Sequence, residues 1–146
     1  MSVMAEIAEF TFSYDNVVKL LLPKGRRARI EVSDHDFYVH FGRGFESRFP
    51  LSSVRKIEPI PAEWVGMTRG VHGGHGAWLV NGSNRGLVRL ILDPSAVART
   101  SLGRLVGAAT STATTSSGGV EVRELRLSVE DPDGLISRIK AATGVS

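Results

Sequence analysis

Through most of this chain apolar residues recur at every second position, in short runs separated by Gly, Asn, Asp and Pro. That pattern admits few folds other than a sheet of short strands. Ala8, Phe10, Phe12 and Tyr14 lie on one side of an extended segment, with Glu9, Thr11 and Ser13 on the other. Ile30 and Val32 share a side of the next segment, and Phe37, Val39 and Phe41 share a side of the one after. Ser33-Asp34-His35-Asp36 between them suits a hairpin turn. Phe45, Ser47 and Phe49 alternate again after Gly42-Arg43-Gly44. Val54, Ile57 and Ile60 follow in a stretch that Pro59 and Pro61 confine to an edge or an end. The expectation is a meander, not βαβ units.

Residues 66–76 are glycine-rich and predict no regular element. Residues 77–80 resume an apolar strand, and Asn81-Gly82 begins a turn into Leu87-Val88-Arg89-Leu90-Ile91-Leu92, which reads as a hairpin. Residues 95–109 suggest a weak helix interrupted by Gly103 and Gly107, and 108–119 are low in complexity. The whole of 95–119 is expected to be a flexible insertion in a single domain spanning 1–146. In the last strand, Leu125, Leu127 and Val129 share a side while Val120 and Val122 fall on the other, which marks a bulge or a doubly buried start. Asp131 then caps a helix, Pro132 occupies its first position, Leu135, Ile136 and Ile139 form its apolar stripe, and Gly144 stops it.

Eight or so short strands and one amphipathic helix make the chain mainly β: a bent antiparallel sheet or split barrel with a C-terminal helix. At 146 residues it is long enough for one core without staples. There is no cysteine, so disulfides, thiol catalysis and cysteine-ligated zinc or iron–sulfur sites are excluded. No apolar run is long enough to span a bilayer and no signal peptide is visible, so a cytoplasmic protein is expected.

Phe37 to Phe41 with its Gly-Arg-Gly turn, Phe49-Pro50-Leu51-Ser52-Ser53-Val54, the run from Asn81 to Leu92, and Leu127-Ser128-Val129-Glu130-Asp131-Pro132-Asp133-Gly134-Leu135-Ile136 carry a resemblance. Together they resemble small bacterial pleckstrin-homology-like proteins, in particular the functionally unassigned sets common in actinobacteria. The likeness covers most of the chain outside 95–119. It implies a fold and carries no catalytic residue across.

Charge is uneven. Residues 19–56 hold nine basic and four acidic groups, an excess of five, against a net charge of +3 for the chain. Lys24, Arg26, Arg27 and Arg29 head that segment and are the candidate contacts for an anionic ligand or a protein partner; nucleic acid is not expected. His72 and His75, three residues apart in the glycine-rich stretch, are the candidate metal ligands, with His35, Asp34 or Asp36 as further ligands if the fold joins the loops. A small metal- or ligand-binding enzyme built on that pair is the alternative to a non-enzymatic binding module. No nucleophile elbow, phosphate-binding loop or dinucleotide fingerprint is present, and no cofactor is expected. Trp64 and Trp78 flank the glycines; a tryptophan there either marks a recognition surface or plugs the core, and Trp78 is expected in the core.

Overall fold

A computed structural model describes residues 7–15, 28–42, 44–100 and 119–145. Within these residues the alternating segments form β1 (Ala8–Phe10), β2 (Ala28–Val32), β3 (Asp36–Phe41), β4 (Phe45–Pro50), β5 (Val54–Pro59), β6 (Gly70–Gly74), β7 (Ala77–Asn81), β8 (Leu87–Arg99) and β9 (Val120–Ser128). One helix follows, α1 (Pro132–Thr143). The strands join one bent, mixed sheet in the order β1-β2-β3-β4-β8-β9-β7-β6, with β5 pairing β8 off that path. The first four strands form the expected meander. Among the described residues no helix is long and apolar enough to cross a membrane.

Three expectations are corrected. The first concerns β7 and β8, which do not form a hairpin. β9 lies between them, antiparallel to β8 and parallel to β7. The link after Asn81 is therefore a step across two strand spacings, about 10 Å, and its length beyond two residues permits it.

The second correction lies in 95–109, where residues 95–99 continue β8 instead of starting a helix or an insertion. Ala96 and Ala98 are buried while Val97 is exposed, a period of two, and this half of β8 finds partners in both β4 and β9. A bulge separates the two halves of β8: four residues, 92–95, face the single Arg123 of β9. That offset lets Val120 and Val122 enter the same core as Leu125 and Leu127, which accounts for the change of side in the sequence. The rest of the expected insertion, 101–118, lies outside the described residues.

Third, the glycine-rich stretch contains β6, which pairs with β7 around a two-residue turn at His75 and Gly76. Both turn residues have positive φ, 55° and 85°, the geometry of a type I′ turn. Gly73 faces Trp78 across the pair, and a Cβ there would approach the indole to 2.6 Å. The absence of a side chain at Gly73 makes room for the ring, so tertiary packing overrides poor strand propensity. Trp78 is buried as expected and donates Nε1–H to the carbonyl of Glu121 at 3.1 Å.

The segment after β1 crosses to the far end of the sheet. Phe12 pairs with Val129 and Tyr14 with Gly82. Ser128 Oγ accepts from Gly82 N at 2.9 Å and donates to Ser13 O at 3.0 Å, while Ser83 Oγ donates to Ser13 Oγ at 2.9 Å. These buried serines pair one another, which removes the cost of desolvating them alone. Burial, reinforced by Glu130, pushes the Tyr14 phenol up to about 12. The helix α1 is capped by Asp131, whose side chain accepts from Gly134 N, and ends at Gly144 in the left-handed region. Leu135 and Ile139 are fully buried in the main core, and Ile136 packs against it.

Candidate functional site

Alternation along β2, β3, β4 and the distal half of β8 turns one set of side chains inward and the other outward. The inward set, Ile30, Val39, Phe45, Phe49 and Ala98 among it, is core. Register then fixes the outward set in two rows. Glu31, Tyr38 and Arg48 lie side by side; Arg29, His40, Glu46 and Arg99 form the row beside them.

Tyr38 is the centre of this face. Its hydroxyl donates to Glu46 Oε2 at 2.6 Å, and the guanidinium of Arg48 lies 4.6 Å from its ring centroid, that of Arg29 5.6 Å. The hydrogen bond to Glu46, with burial and the glutamate charge behind it, holds the Tyr38 phenol above its ordinary pKa. The phenol therefore remains a donor at neutral pH. Arg29 pairs with Glu31 at 3.3 Å. Arg48 and Arg99 have no carboxylate partner among the described residues. Together with Tyr38, Glu46, Ser47, Val97 and Gly119 they line a cavity of about 530 Å³, within the range of about 300–1,000 Å³ typical of small-molecule sites. Its apolar patch is Val97, 47% exposed on the strand whose carbonyl accepts from Ser47 Oγ at 2.9 Å. Three arginines against Glu31 and Glu46 leave one excess positive charge on this face.

A second charged array lies on the outer face of β5, β8 and β9. Arg89 bonds Glu124 at 2.7 Å and Glu58 at 2.9 Å, and Lys56 and Arg126 extend the chain of pairs. Hydrogen bonds from Lys56 and Arg89 hold the Glu58 carboxyl below its ordinary range. Trp64, half exposed, lies 5.3 Å from the Arg126 guanidinium and 5.9 Å from that of Arg89. Each cation here has a carboxylate partner, so the array ties the three strands together and cradles Trp64.

Of the residues singled out from sequence, Arg29 lies on the Tyr38 face. Lys24, Arg26 and Arg27 lie outside the described residues. His72 and His75 fall on β6 and its turn; His72 Nε2–H donates to the Arg69 carbonyl at 2.5 Å. The expected additional ligands, Asp34, His35 and Asp36, instead line a cleft of about 460 Å³ between the β2–β3 turn and the end of α1, where Asp34 pairs with Arg138 at 3.4 Å. Among the described residues no group of three or more His, Asp or Glu is placed to hold a metal ion.

Tyr38, Glu46 and Arg48 were legible as outward positions of two strands. Arg99 was not, because its segment reads as helix. Compared with family models, curated proteins and solved structures, the chain matches none.

Proposed function

We propose that the protein is a non-enzymatic binding module whose ligand is a small anion held at the Tyr38 cavity. The observation that carries this reading is the convergence of Arg48 and Arg99, two guanidiniums without carboxylate partners among the described residues, on one cavity. Guanidinium forks suit carboxylate and phosphate oxygens, and the Tyr38 hydroxyl and Val97 supply a polar and an apolar neighbour for the rest of a ligand. The pleckstrin-homology-like resemblance belongs to the same proposal, supported by the succession of short strands and one closing helix. Here the proposed anion site lies on the outer face of β3, β4 and β8, not on the sequence segment that holds Lys24, Arg26 and Arg27.

Phenyl phosphate, an anion carrying an apolar ring, is a direct probe. Calorimetric titration is expected to show binding that weakens at least about tenfold in the double variant Arg48→Ala/Arg99→Ala, the loss of one or two charge-assisted bonds. Arg55→Ala, on the separate cleft, leaves it unchanged. Affinity also falls as salt rises, because this face is open to solvent. Undiminished binding by the double variant, or no binding by the parent at low salt, removes the proposal.

A further inference from the structure

Glu46 is the unexpected member of this cavity. It places a carboxylate beside the arginines, opposite Arg99 across the β4–β8 pair and two residues before Arg48, where a bare oxyanion would meet a like charge. Glu46 Oε2 already accepts from Tyr38, and Oε1 has no hydrogen-bond partner among the described residues. A ligand that satisfies the described lining therefore brings a negative group to Arg48 and Arg99 and an N–H or O–H donor to Glu46 Oε1. At about 530 Å³ the cavity falls in the size range of sites that take drug-sized ligands.

Resting on the anion-binding reading above, we infer that the ligand is a nucleoside monophosphate whose base carries an exocyclic amino group. The phosphate pairs with the guanidiniums of Arg48 and Arg99. The amino group donates to Glu46 Oε1, the pairing by which a carboxylate reads the cytosine amino group. The planar ring covers Val97, the exposed apolar side chain of the site. The Tyr38 hydroxyl fixes the glutamate, so the acceptor is oriented before the ligand arrives.

CMP and UMP differ at this one point, an amino group in place of a carbonyl, and so isolate the contact. Titration calorimetry on the full chain is expected to give CMP about tenfold tighter than UMP, the value of one hydrogen bond to a charged acceptor. Glu46→Gln abolishes or reverses that preference, since an amide can donate to the uracil carbonyl. The same variant binds phenyl phosphate more tightly than the parent, because a like charge has been removed. Equal affinity for CMP and UMP in the parent, with phenyl phosphate still bound through Arg48 and Arg99, overturns the nucleotide inference and leaves anion binding standing. Failure of phenyl phosphate as well overturns both.

Discussion

Replacing Ile139 by alanine is expected to lower the unfolding free energy by about 2–5 kcal/mol, the range for truncating a buried Ile or Leu. Ile139 is fully buried on the face of α1 that also carries Leu135, and both belong to the main core with Ile57, Leu90 and Leu92. The helix has its own signals, a capping aspartate, Pro132 at its start and a left-handed glycine at its end. Those signals fix where it begins and stops; a helix of 12 residues is marginal in isolation, so its stability comes from docking. Truncation at Ile139 removes both transfer free energy and contacts that neighbours cannot replace. Urea unfolding with an unchanged slope and a lower midpoint is the expected observation. A midpoint within experimental error of the parent would mean that α1 does not close the sheet in solution.

Gly86→Ala is expected to destabilise by a comparable amount, about 2–5 kcal/mol, for a different reason. Gly86 has φ of 61°, where a side chain costs about 1–2 kcal/mol. A Cβ there would also stand 1.9 Å from the carbonyl oxygen of Val129, on backbone that cannot rotate away. Gly86 O in turn accepts from Val129 N at 2.9 Å, so the glycine is the point where the end of β9 passes beneath the β7–β8 link. Overpacking adds about 1–3 kcal/mol to the conformational term. Gly66→Ala is the control: its φ is also positive, 51°, but no atom lies within 4 Å of its added Cβ. Denaturation midpoints should show a large loss for Gly86 and only the conformational part for Gly66. Equal losses at the two positions would show that the crossing at Val129 is looser than the structure has it.

What the sequence made legible follows from what local chemistry determines. Alternation placed Ile30, Val32, Phe37, Val39, Phe45 and Phe49 in the core, because pairing with an adjacent hairpin strand leaves no freedom about which face turns inward. The helix was legible because its cap, proline, apolar stripe and terminal glycine all agree. The position of β9 was not. Its insertion between β7 and β8 is a contact between segments some forty residues apart, and nothing in the Asn81–Gly82 turn signals it. β6 was hidden for a similar reason: its glycines have no strand preference, and Gly73 is explained only by the Trp78 ring across the pair.

The candidate site divides along the same line. Tyr38 with Glu46 and Arg48 follows from the register of one hairpin, whereas Arg99 joins them only through the β4–β8 pairing, 53 residues away from Glu46 in the chain. The basic excess and the histidine pair stand out in the sequence, since like residues close together are conspicuous. A site assembled from single residues on separate strands has no such signature.

Anion binding at the Tyr38 cavity can be mapped residue by residue. Backbone amide shifts of isotopically labelled protein, followed during titration with phenyl phosphate, would report the site without relying on a variant. The largest changes are expected on Tyr38, Glu46, Arg48 and Arg99, around the Tyr38 cavity. Changes centred instead on His72 and His75, or on the cleft at Asp34, His35 and Asp36, would contradict binding at this cavity.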